Sequence, residues 1–207
     1  MAGEHFVTIY DAGMRIEVPN MGYFVEYDQR ANTVKFLCPK SKVYCAYTKA
    51  EFLAGYRSFV QRMTWFSELR TPLRSYPELK DGLPAHTEVF KIENSDDTYW
   101  QSDVGARKSA STQATAYFTT ARFCPMKEAG PLLCVLYGLP RREEPPYLLV
   151  LSVAGKETVA LKTLALKRTD DLPWKSYCPG KDWKKVSMPE FVHRLPVGNV
   201  LGDVFNP

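Results

Sequence analysis

Short runs of alternating apolar and polar residues open the chain. In Met14-Arg15-Ile16-Glu17-Val18 every second side chain is apolar. Tyr23, Val25 and Tyr27 share one parity in the next run, and Val34, Phe36 and Cys38 share one in the run after it. Alternation of period two marks half-buried strands. With residues 43–47 beyond the turn Pro39-Lys40-Ser41-Lys42, the pattern predicts an antiparallel meander whose strands share an apolar face.

At Thr48 the period lengthens. Thr48 and Glu51 have the spacing of a capping box. Phe52, Tyr56, Phe59, Val60, Met63 and Phe66 then recur at steps of three and four, which predicts an amphipathic helix ending before Pro72. Residues 73–84 read as a surface loop, with strands at 87–93 and 98–102. Residues 106–123 read as a second helix with Ala110, Ala114, Tyr117, Phe118 and Ala121 on one side, although its many Ser and Thr residues weaken it. Strands are expected again at 132–137, 147–153 and 158–168, the last two joined by a tight turn at Ala154-Gly155-Lys156-Glu157. Apolar parity switches between Val159 and Leu161 on one side and Leu164 and Leu166 on the other, which predicts a bulge near Lys162-Thr163. Residues 141–146 read as a hairpin tip with cancelling charges, and residues 187–194 as a short helix.

No linker, repeat or low-complexity tract interrupts the 207 residues, so one domain over 1–207 is expected. A composition of 45% hydrophobic and 24% charged residues is that of a globular protein with a substantial core. The net charge of +4 falls short of the concentrated basic field of nucleic-acid binders, so no nucleic-acid partner is expected. No apolar run approaches the roughly 20 residues that span a bilayer. Neither a basic region nor an apolar segment precedes the first strand, so no signal peptide is expected in these residues.

Candidate chemistry is sparse. The five cysteines form no Cys-x-x-Cys pair, so neither a metal site nor a redox centre is expected. Cys38 and Cys45 straddle a turn, which allows a disulfide, against the commoner reading of buried thiols. His5, His86 and His193 stand alone in their segments and read as surface or edge residues. There is no Gly-x-Ser-x-Gly elbow, phosphate loop or His-Glu-x-x-His pair. Asn94-Ser95-Asp96-Asp97 is turn chemistry. Lys181, Lys184 and Lys185 around Trp183 read as a solvated face. These absences point away from an enzyme and from any cofactor.

The order of segments resembles the outer-membrane lipoprotein carrier superfamily, the LolA-like half-barrel, and its periplasmic relatives. The resemblance rests on residues 12–17, 22–28 and 34–44, the last containing the turn Pro39-Lys40-Ser41-Lys42-Val43-Tyr44. It continues through Thr98-Tyr99-Trp100, Gly130-Pro131-Leu132-Leu133 and the closing residues 177–186. The family's N-terminal helix and first strand are shortened or missing here.

The resemblance implies an α+β fold: a curved antiparallel β half-barrel whose concave face is covered by two main helices. It also implies periplasmic or cell-envelope work on an apolar ligand, a lipid or acyl chain. Arg15 is the counterpart of an arginine that holds the carrier's lid shut. Strand and helix parity nominate Met14, Ile16, Tyr23, Val25, Tyr27, Phe36, Phe59, Met63, Leu149 and Leu151 as ligand-lining residues. The expected function is non-enzymatic binding or transport of that ligand, since burying a hydrocarbon contributes about 0.8 kcal/mol per CH₂ without any charged chemistry. The competing readings are a protein-interaction or scaffold domain with a filled core and, third, an enzyme using dispersed residues such as Tyr99, Asp103 and Cys124.

Overall fold

The alternation at 14–18, 23–28, 33–38 and 43–47 folds as predicted, preceded by a strand at Phe6–Tyr10 that the sequence reading did not name. In the computed structural model, which describes residues 4–55, 71–93, 113–122, 124, 126–153, 155–165 and 174–196, the first strands are β1 (Phe6–Tyr10), β2 (Gly13–Val18), β3 (Tyr23–Asp28), β4 (Thr33–Cys38) and β5 (Val43–Thr48). They pair in sequence order as an antiparallel meander, and the two-residue β11 (Lys184–Lys185) adds to β5 in parallel. Met14, Ile16, Val25, Tyr27, Val34, Phe36, Cys38, Val43 and Cys45 occupy one buried face. Cross-strand pairs such as Ile16–Val25–Phe36–Cys45 keep that face continuous. Helix α1 (Lys49–Gly55) begins at the predicted capping box, with the Thr48 backbone N–H donating to Glu51 Oε2 at 2.8 Å and the Glu51 N–H to Thr48 Oγ1 at 3.2 Å. Helix α3 (Met188–His193), capped by Ser187, is also where the sequence places it.

The second sheet has the order β10-β9-β8-β7-β6, all antiparallel: β6 (Arg74–Lys80), β7 (Leu83–Glu93), β8 (Gln113–Ala121), β9 (Pro146–Val153) and β10 (Lys156–Lys162). Helix α2 (Ala129–Tyr137) lies between β8 and β9 in the chain. The fold is therefore α+β, with two open, essentially antiparallel sheets and three helices among the described residues. The chain forms two compact units, residues 1–55 with 169–207, and residues 56–168.

Several expectations are corrected within the second unit. Residues 73–84 are not a loop but most of a hairpin, turned by Asp81 (φ 50°) and Gly82 (φ 79°), the Asp-Gly pair that suits a type I′ turn. Residues 113–121 form a strand rather than a helix. Thr115, Thr119 and Thr120 are β-branched, and packing of Ala116 and Phe118 on one parity decides the outcome. Residues 132–137 are helical rather than extended: Pro131 suits a first turn, and Gly138 at φ 66° closes the helix. The bulge lies between Val159 and Leu161, ahead of the expected Lys162-Thr163. Residues 141–146, expected as a hairpin tip with cancelling charges, instead lead from α2 to β9, and Arg142 turns inward to pair with Glu88 and sits over the Phe90 ring at 5.3 Å. The predicted strand at 98–102 and the helix beyond residue 55 lie outside the described residues.

Candidate functional site

The nominated lining residues fall into separate environments. Met14, Ile16, Val25, Tyr27 and Phe36 lie on the buried face of the first sheet, with Tyr23 half-buried beside them. Phe36 meets the rings of Phe52, Phe191 and Tyr47 at 6.1, 6.1 and 6.4 Å, so α1 and α3 both pack on this face. Tyr23 meets Phe191 edge-on at 5.9 Å, and burial pushes its hydroxyl pKa up to about 12. Leu149 and Leu151 belong to the second unit, in a cluster with Phe90, Ala116, Phe118, Cys134 and Leu139. Phe59, Met63, Tyr99 and Asp103 lie outside the described residues.

Arg15 stands on the other face of the first sheet. There the cross-strand row Arg15–Glu26–Lys35 binds an irregular C-terminal strap, residues 174–183. Arg15 pairs with Glu26, its Nε donating to Oε1 at 2.9 Å, and its Nη2 reaches the Lys175 carbonyl at 3.4 Å. Glu26, only 1% exposed, accepts the Tyr177 backbone N–H on its second oxygen at 2.8 Å. Lys35 Nζ donates to Ser176 Oγ at 3.2 Å and to the Tyr177 carbonyl at 3.1 Å. Tyr177 packs against Phe24 and Trp183, and Trp174 against Tyr10. A Cβ on residue 13 would lie 2.3 Å from the Trp174 ring, so Gly13 is what lets the indole rest on the sheet.

The second sheet carries a feature that the sequence reading missed. Its face bearing Phe118, Leu149 and Leu151 is buried, whereas on the opposite parity Ala85, Thr87, Thr119 and Ala121 are buried but the row beside them is only partly covered. Val89, Tyr117, Val150 and Val159 face one another in a single cross-strand row, with Arg74 at its β6 end. Val89, Tyr117 and Val150 are half-buried and Val159 is 50% exposed. Leu148 and Tyr76 flank them in the adjacent row, and that row also holds Thr87 and Thr119, hydrogen-bonded to each other at 2.8 Å and to Glu78. Lys91, Thr115, Ser152 and Glu157 border the other side. The result is an apolar stripe between polar rows. It crosses four strands, β7 to β10, about 14 Å at roughly 4.8 Å per strand spacing, with the charged Arg74 at its β6 end. Reading residues 106–123 as a helix hid it, because the stripe exists only when Tyr117 lies in a strand between Val89 and Val150.

Ser75 Oγ and His86 Nε2 lie 2.6 Å apart, but His86 Nδ1 is buried without a partner, so the pair lacks the third group that orients the imidazole in nucleophilic triads. Among the described residues no group of His, Cys, Asp or Glu has metal-site geometry. All five cysteines are free, and Cys38 and Cys45 are the buried thiols of the commoner reading, not the alternative disulfide: Cys38 faces Val43 and Cys45 faces Phe36 across the strands. Burial pushes the thiol pKa of Cys45 and Cys134 up to about 12. No helix among the described residues is long and apolar enough to cross a membrane. Comparison of the chain with protein-family models, curated proteins and solved structures finds no match.

Proposed function

We propose that the protein binds a lipid, acyl chain or similar apolar ligand non-covalently, as a carrier or sensor working in the periplasm or cell envelope. The observation that carries the reading is the Val89–Tyr117–Val150–Val159 stripe, an apolar row about 14 Å long left partly accessible on an open sheet. Burial of a hydrocarbon there needs no catalytic group. Within this reading Arg15 is a positioning residue that holds the C-terminal strap on the first sheet, the role the carrier-family resemblance suggests for it. The competing reading, an interaction domain with a filled interior, draws support from the ring packing around Phe36 and the Leu149–Leu151 cluster.

Titration with a fluorescent long-chain fatty acid, alongside native mass spectrometry of the purified protein, tests the proposal. Saturable uptake that Tyr117→Glu weakens at least tenfold, while Lys156→Glu leaves it intact, supports the carrier. Clean protein with no uptake supports the interaction domain.

A further inference from the structure

The sheets differ in how their edges are protected. Strand edges present unpaired backbone groups, and proteins blunt them with proline, charge, bulges or covering segments. β6 has Pro77 at its centre and Arg74, Glu78 and Lys80 around it. β10 is bulged and carries Lys156, Glu157 and Lys162. The β5 side of the first sheet is covered by β11, with the Lys184 N–H bound to the Lys42 carbonyl at 2.9 Å. β1, Phe6-Val7-Thr8-Ile9-Tyr10, carries no charge and no proline and keeps an unbroken register with β2. Among the described residues no strand pairs with its outer side. Phe6 is 56% and Val7 39% exposed on it.

We infer that β1 is a dimerisation edge, pairing antiparallel with β1 of a second copy about a two-fold axis at Thr8. The strand is complementary to itself in that register. Phe6 falls opposite Tyr10 and Val7 opposite Ile9, giving aromatic and β-branched pairs with no like charges opposed. Val7 and Ile9 already face Ile16 and Met14 of β2, so the register continues the apolar parity of one copy into the other. It also leaves Glu4 and Asp11 beyond the strand ends. A two-fold axis makes the contact isologous, which closes the assembly at a dimer instead of a fibre. The inference is independent of the ligand stripe, which lies in the other unit.

Sedimentation velocity across a concentration series, with cysteine cross-linking, tests it. The wild-type protein is expected to dimerise reversibly. Phe6→Lys, at an exposed position, should raise the dissociation constant about tenfold with an unchanged circular dichroism spectrum. In a Cys178→Ser background, Thr8→Cys should oxidise to a covalent dimer because the two positions coincide at the axis, whereas Phe6→Cys, opposite Tyr10, should not. A monomer at every concentration, a dimer that Phe6→Lys leaves intact, or Phe6→Cys linking as fast as Thr8→Cys would overturn the inference. So would a monomer that captures only an unrelated extended peptide.

Discussion

The backbone N–H of Tyr177 donates to Oε2 of Glu26 at 2.8 Å, tying an irregular C-terminal segment to the centre of a sheet 151 residues away in sequence. The other oxygen of that buried carboxylate is taken by Arg15. One side chain thus neutralises a cation and satisfies a backbone donor, and its removal leaves the Arg15 charge without its carboxylate and the Tyr177 N–H without its acceptor. Glu26→Ala should cost about 2–4 kcal/mol, because a buried pair that loses one member leaves the other poorly solvated. Urea unfolding measures the loss. Limited proteolysis should show new cleavage between residues 174 and 183, and a variant as stable and as protected as wild type would contradict the latch.

The strap's far end is held electrostatically. Lys42 Nζ and Asp182 Oδ2 lie 2.6 Å apart, and that hydrogen bond holds the Asp182 carboxyl pKa below its ordinary value and the Lys42 pKa above. For Asp182 the contribution is present above the unfolded pKa and lost as pH falls through the lowered folded one. For Lys42 it is present below the unfolded pKa and lost as pH rises through the raised folded one. Both groups are well exposed, so the effect is small and salt-sensitive. An NMR pH titration should find the Asp182 carboxyl titrating below free aspartate in the wild type and moving upward in Lys42→Met.

Tyr147 gives an alkaline counterpart in the second unit. Its hydroxyl donates to Asp81 Oδ2, and that bond, with burial, pushes its pKa from 10.0 up to about 12. Stability from this bond is complete below the unfolded pKa and declines as pH rises through about 12. Ultraviolet titration should show a late-ionising tyrosine that moves earlier in Asp81→Asn.

The packing around Phe36 separates a core position from a stripe position. Phe36→Ala removes a ring that touches Phe52, Phe191 and Tyr47, and should destabilise by about 3–5 kcal/mol. Val150→Ala, on the half-buried stripe, should cost about 1 kcal/mol or less. Chemical denaturation of the two variants checks the contrast.

Strands β2 to β5 were legible because they alternate cleanly and one buried face leaves no freedom of register, whereas β1 and the two-residue β11 were not named by the sequence. Even Thr48–Glu51 and Ser187 announced their helices. The second unit was less readable for identifiable reasons. Ala and Thr in residues 113–121 satisfy helical and strand spacing alike, and only pairing with Val89 and Val150 chooses between them. Residues 129–137 are so uniformly apolar that periodicity is silent, although Pro131 and Gly138 mark the ends. Asp81-Gly82 was a hairpin signal masked by the charges and prolines around it. The strap on Arg15, Glu26 and Lys35 had no local signal, since its partners are more than a hundred residues apart.

Because β9 sends adjacent residues to opposite faces, methyl NMR during a titration with palmitate tests the ligand proposal most directly. The account predicts saturable shifts at Val89, Val150 and Val159, with Leu149 and Leu151 unmoved. Shifts confined to Leu149 and Leu151, or no shift in any of these methyls at saturating palmitate, would contradict it.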